Sequence, residues 1–180
     1  MTAASKAEIR RAMRQRKALL SEAERRSEAE AVFAAVERTA LFAAARRVMV
    51  YSSLPDELPT DNFIDRWAAR KQLFLPRVNG EELDVLPYRP GRLSRGAFNI
   101  DEPDGDDTVD PATLDLIIVP AVALDPAGNR LGRGKGFYDR LLRRTSAATI
   151  GVGFACQLLP DLPAEPHDVP LDLVITPAST

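Results

Sequence analysis

The run Leu114-Asp-Leu-Ile-Ile-Val-Pro120 restricts the fold more than any other feature of the chain. Four consecutive large aliphatic residues leave no face for water, the pattern of a strand covered on both sides within a parallel sheet. Such a sheet needs helices on each face, and the remaining sequence supplies them in alternation. Arg47 to Ser52, Gln72 to Pro76, Leu83 to Tyr88, Thr149 to Phe154 and Leu171 to Thr176 read as further strands, short and rich in β-branched or aromatic residues. The Asn79-Gly80 pair is a turn signal ahead of the third of these six strands.

Residues from about Ser5 to Ala40 read as helix. Ile9, Met13, Leu19 and Leu20 give one apolar stripe, and Ala29, Val32, Phe33, Val36 and Ala40 give another. Ser21 followed by Glu24 is a capping-box pattern, which predicts a break and restart there. Thr60 is placed as the N-cap of a short helix that carries Phe63, Ile64 and Trp67 on one face and ends near Arg70. A last helix spans about Phe137 to Arg144. Pro90 to Pro111, dominated by Gly, Pro and acids, reads as a solvated loop. The expectation is an α/β three-layer sandwich around a mostly parallel sheet, with an N-terminal helical segment, in one domain over residues 1–180. A globule of this length buries roughly 70% of its unfolded surface and needs no staples.

Composition narrows the function classes. The formal net charge of −2 argues against a protein that coats DNA, although cations from Lys6 to Arg26 crowd the start of the chain. Cys156 and His167 are the only residues of their kinds, which removes internal disulfides, Cys-based zinc sites and multi-histidine metal sites. No apolar run approaches the roughly 20 residues of a membrane span. The Arg-rich start resembles a transit peptide in composition, but Glu8 and a helical pattern continuing to Leu41 favour a cytoplasmic protein.

The chemistry concentrates in Asn129-Arg-Leu-Gly-Arg-Gly-Lys-Gly-Phe-Tyr-Asp-Arg140, just beyond the carboxyl end of the most apolar strand. Ligands of open α/β sheets bind at that end. Gly132, Gly134 and Gly136 let backbone N–H groups approach an anion, while Arg133 offers a planar fork and Lys135 a movable point charge. Together they suit a polyphosphate. The string is neither a P-loop nor a dinucleotide fingerprint, and alone it also fits a flexible basic turn. Asp139 fits a first-turn acid favoured by the helix dipole, Glu57 a loop-surface carboxylate, Asp172 a turn residue, and Lys6 and Arg10 a solvated helix face.

The whole string closely resembles the signature of the 5-formyltetrahydrofolate cyclo-ligase family. The resemblance extends to the basic helix with Lys6 and Arg10, to Tyr51-Ser-Ser-Leu-Pro-Asp-Glu57 followed by Thr60, and to Phe98-Asn-Ile-Asp-Glu-Pro103. It continues through Gly153-Phe-Ala-Cys-Gln157 and the stretch from His167 to Pro177, so that it spans nearly the full chain in order. The chain departs from the family pattern at Phe137-Tyr138, where a tyrosine pair is common. It departs again at Phe98-Asn99-Ile100, where many bacterial relatives carry Gly-Ile.

The resemblance implies ATP- and Mg²⁺-dependent conversion of 5-formyltetrahydrofolate to 5,10-methenyltetrahydrofolate, with release of ADP and phosphate after phosphorylation of the formyl oxygen. It implies ATP contacts from Lys6, Arg10, Arg130, Leu131, Gly132, Arg133, Gly134, Lys135, Gly136, Phe137 and Tyr138, with Arg133 and Lys135 carrying the catalytic charge. Folate contacts would come from Ser52, Glu57, Arg133, Gly134, Lys135, Gly136 and Phe137, and Mg²⁺ ligands from Asp139 and Asp172. The expected partners are small molecules only, with neither nucleic acid nor membrane, and the expected state is a monomer. The competing readings are a relative that keeps the ATP loop but acts on another substrate, and a nucleic-acid-binding module using the basic helix.

Overall fold

The computed structural model describes residues 4–96 and 99–177. Its framework is a six-stranded sheet in the order β10-β9-β6-β1-β2-β3, with β1 Arg47–Met49, β2 Gln72–Asn79, β3 Glu82–Pro87, β6 Leu116–Pro120, β9 Ala148–Val152 and β10 Leu173–Ile175. Every neighbouring pair is parallel except β2 with β3, whose hairpin turns at Asn79-Gly80 with Gly80 at φ +61. Two short antiparallel pairs lie outside this sheet, β4 Leu93–Arg95 with β5 Asp101–Pro103, and β7 Ala123–Leu124 with β8 Arg130–Leu131.

Strand alternation divides the core. Val48, Leu73, Leu75, Leu116, Ile118, Ile150 and Val152 point to one face. There they pack against α2 (Glu22–Glu37), α3 (Ala40–Ala44) and α4 (Asp61–Trp67), through Val32, Phe33, Val36, Phe42 and Phe63. Phe33 stacks on Phe63 with ring centroids 4.7 Å apart. Met49, Phe74, Ile117 and Val119 point to the other face, under Leu141 and Leu142 of α5 (Phe137–Leu142). Each such side chain contributes about 1.5–3 kcal/mol by leaving water, and helices on both faces make the three layers. α1 (Lys6–Ala18) stands apart: its Ile9 and Met13 form a third cluster with Val122, Ala123, Leu131 and Leu162.

The predicted break at Ser21 is present, since α1 ends at Ala18 and α2 opens on a capping box between Ser21 and Glu24. Thr60 does precede α4, but its hydroxyl donates to the Tyr51 carbonyl at 2.8 Å and makes no cap bond. Burial at 1% exposure leaves that carbonyl as its partner, and the bond fixes the loop after β1. The stretch from Pro90 to Pro111 is more ordered than its composition suggests. It holds β4 and β5, tied to β2 by Arg77 donating to the Gly105 carbonyl at 2.7 Å. Phe98 lies outside the described residues. No helix among the described residues is long and apolar enough to cross a membrane.

Candidate active site

A cleft of about 380 Å³ opens at the carboxyl ends of β6 and β1, with the far end of the β2–β3 hairpin as one wall. Its backbone is set by a buried carboxylate. Asp125, 1% exposed, accepts from the N–H groups of Ala127, Asn129 and Leu162 and from Asn129 Nδ2, at 2.9–3.0 Å. This ties the turn between β7 and β8 and aims the glycine string back over the sheet. Gln157 adds two bonds from Nε2 to the carbonyls of Ala121 and Val122. Gly134 and Gly136 then take φ values of +95 and +70, which side-chain-bearing residues rarely adopt, and α5 begins.

Cations converge from two parts of the chain. Arg10 of α1 donates through Nε to the Gly132 carbonyl at 2.8 Å, and its guanidinium lies so close that a Cβ on Gly134 would sit 3.5 Å from it. Arg130, its side chain 5% exposed, pairs with Asp139 at 2.8 Å, and its Nε is buried without a hydrogen-bond partner. Lys135 is exposed at the cleft rim, and no described residue forms an ion pair with it. Lys6 sits between Glu165 at 2.8 Å and Asp168 at 2.9 Å. Glu165, His167 and Asp168 present donor atoms within 4.8 Å of one another, but the Lys6 ammonium already serves as their cation.

Opposite the string, the loop after β1 brings Ser52, Leu54 and Glu57 to the cleft. Burial pushes the Glu57 carboxyl above its ordinary range, although the Leu54 N–H at 3.0 Å and Arg133 at 3.2 Å both pull it down. Arg133 also pairs with Asp56. Burial opposes the Asp56 charge as well, but there Lys17 and Arg133 win and its carboxyl stays below the usual range. Apolar Leu54, Pro76, Val78, Leu83, Ile100 and Phe137 wall this end. One end of the cleft therefore suits a polyphosphate, and the other a flat heterocycle whose N–H groups need an anionic acceptor.

The cleft gathers Lys6, Arg10, Ser52, Glu57, Asp139 and the string from Arg130 to Tyr138, all expected from the sequence. It does not gather Asp172. That carboxylate lies at the amino ends of β9 and β10, opposite the cleft, where its Oδ2 accepts from Thr149 N and Thr149 Oγ1 at 2.8 and 2.9 Å. The two expected Mg²⁺ ligands are thus not brought together, because Asp172 precedes its strand and Asp139 follows the glycine string. Lys17, Asp56 and Asp125 were not anticipated as part of this machinery.

A family model described as the 5-formyltetrahydrofolate cyclo-ligase family matches residues 2–177. The chain belongs to this family. Among the cyclo-ligases, the Escherichia coli K12 enzyme is 40% identical over 144 residues, covering 74% of this chain and 79% of the relative. The 5-formyltetrahydrofolate cyclo-ligase of Mycolicibacterium smegmatis is 35% identical over 190 residues, covering 98% and 96%. The solved 5,10-methenyltetrahydrofolate synthetase of Aquifex aeolicus superposes with a TM-score of 0.87 at 35% identity, over 96% of this chain and 89% of that one. A Mycoplasma pneumoniae 5,10-methenyltetrahydrofolate synthetase, at 23% identity and a TM-score of 0.78, shares the fold. The cyclo-ligase fold thus has its glycine string, basic α1 face and Glu57 loop on one cleft here.

Proposed function

We propose that this chain is a 5-formyltetrahydrofolate cyclo-ligase that uses ATP to close 5-formyltetrahydrofolate to 5,10-methenyltetrahydrofolate. The observation that carries this reading is the glycine string with Arg133 and Lys135, facing the half-enclosed Glu57 carboxylate across a single cleft. The formyl group on the nitrogen at position 5 is an amide, a poor electrophile with an oxygen that leaves badly. Transfer of the γ-phosphoryl group to that oxygen makes it a leaving group. The nitrogen at position 10 then closes the ring, phosphate departs, and the position-10 proton is released.

The protein supplies position and charge for these steps, as phosphoryl transfer generally requires. Arg10, Arg133, Lys135 and the string's N–H groups hold the polyphosphate, and Lys135 reaches the charge that develops on the transferred group. Glu57 accepts from the pterin amino and ring N–H groups, with Ser52 and Phe137 beside it. Asp139 fits Mg²⁺ as a hard oxygen ligand on the cleft wall, in keeping with a cation that takes one or two carboxylates and completes its shell with phosphate and water. When bound, the ion neutralises phosphate charge. A single chain suffices, since every group named comes from one cleft.

Purified protein with ATP, Mg²⁺ and 5-formyltetrahydrofolate tests the proposal. The methenyl product absorbs near-ultraviolet light that the substrate does not, so absorbance rises in step with ADP release. No rise at saturating substrates rejects it.

A further inference from the structure

A chain of four charged groups crosses the mouth of the cleft. Lys17, on the last turn of α1, is 3% exposed and donates to the Asp56 carbonyl at 2.9 Å and to Asp56 Oδ2 at 2.6 Å. An ammonium so buried needs an anionic partner, and Asp56 is that partner. With Oδ2 and the carbonyl engaged by Lys17, Asp56 accepts from Arg133 Nη2 at its remaining Oδ1. The same nitrogen, and Nε, reach Glu57 Oε1 at 3.2 and 3.3 Å. Arg133 is therefore shared between two carboxylates, and only Glu57 lines the cleft.

We propose that Lys17 and Asp56 are positioning residues for folate binding: Lys17 pins Asp56, and Asp56 draws Arg133 partly off Glu57, leaving that carboxylate free to accept from the reduced pterin. The inference rests on the function proposed above. Without the Asp56 anion, Nη2 is no longer shared, and the planar guanidinium moves from its forked hold on Glu57 Oε1 to both oxygens of that carboxylate, the bidentate pairing that Arg favours. It then competes with the pterin for the same oxygens. The cost falls chiefly on folate, because the polyphosphate has Arg10, Lys135 and the string's N–H groups to hold it besides Arg133, whereas the pterin depends on the Glu57 oxygens.

Asp56→Asn tests this directly. It leaves the main-chain carbonyl and a side-chain oxygen for Lys17, and replaces the anionic acceptor of Arg133 with a neutral amide. The KM for 5-formyltetrahydrofolate rises about tenfold, the worth of one charge-assisted hydrogen bond, while the KM for ATP changes less than about twofold. The melting temperature stays within about 4 °C of wild type, and Asp56→Glu recovers most of the folate affinity. Lys17→Met fills the same space without the ammonium. In a double-mutant cycle, the pair of substitutions raises the folate KM no further than Asp56→Asn alone, because Lys17 acts through Asp56.

Additive effects overturn the inference. So does an unchanged folate KM in Asp56→Asn, or a rise in both KM values alongside a fall in melting temperature, which marks a merely structural pair. An inactive wild type removes the proposed function and this inference with it. An active wild type that Asp56→Asn matches removes the inference alone.

Discussion

Arg130 and Asp139 meet at 2.8 Å at the root of the glycine string, the arginine side chain 5% exposed and the aspartate 23%. The buried Arg130 Nε has no partner, so the aspartate and the Tyr138 ring, 5.6 Å away, are what compensate the cation. Asp139→Asn should cost about 1–3 kcal/mol of stability by leaving that charge without its anion. It should also raise the Mg²⁺ concentration that gives half the maximal rate. Urea unfolding and a Mg²⁺ titration of the rate check the two effects separately.

Lys135 presents the opposite case. It is exposed and forms no ion pair with any described residue, so truncation disturbs no packing. Lys135→Ala should change stability by less than about 0.5 kcal/mol. If Lys135 has the role proposed for it at the transferred group, the same substitution should lower kcat about 100-fold or more. A large loss of stability with turnover intact would assign Lys135 to the scaffold.

The Glu57 carboxyl is held above its ordinary value of 4.5 by burial, and in the role proposed for it, as acceptor from the pterin, it must be ionised. The folate kcat/KM should therefore fall as pH drops through a value above 4.5. Because Arg133 holds this carboxyl down, Arg133→Ala should move the acid limb to higher pH. Stability runs the other way. A group whose folded value is raised contributes most below its unfolded value, and that contribution is lost as pH rises through the folded one. The stability difference between wild type and Glu57→Gln should shift in favour of the glutamine as pH climbs from about 4 to 7. Urea unfolding at a series of pH values reads this directly.

Asp172 bonds Thr149 through its side chain, while its own N–H donates to Thr149 Oγ1 at 2.9 Å. Asp172→Ala should cost about 1–3 kcal/mol by unlatching the starts of β9 and β10. Its Mg²⁺ dependence should match wild type. A shift in that dependence comparable to the one in Asp139→Asn would return Asp172 to the metal site.

The elements that could be read from the sequence are those whose signal is local. The apolar run at Leu116–Pro120 and the Ser21–Glu24 box each carry their cause within a few residues, and so does the glycine string. Boundaries shifted where tertiary bonds decide them: Thr60 serves the Tyr51 carbonyl and not its own helix. The acidic stretch before Pro111 looked solvated, yet Glu102 of β5 is 6% exposed and accepts from Val78 N at 3.3 Å. Composition cannot show a hydrogen bond made to another strand. The same limit hid the Lys17–Asp56–Arg133 chain, whose members lie 39 and 77 residues apart. The place of Asp172 was not legible either, because a motif specifies order along the chain but not which end of the sheet a side chain occupies.

The two roles of α1 set a practical constraint. Its apolar side closes a core cluster through Ile9 and Met13, and its polar side delivers Lys6 and Arg10 to the cleft. Trimming the first turns would remove core packing and two cations of the cleft wall in one cut, so the part α1 plays in the cleft cannot be separated from its part in the fold that way.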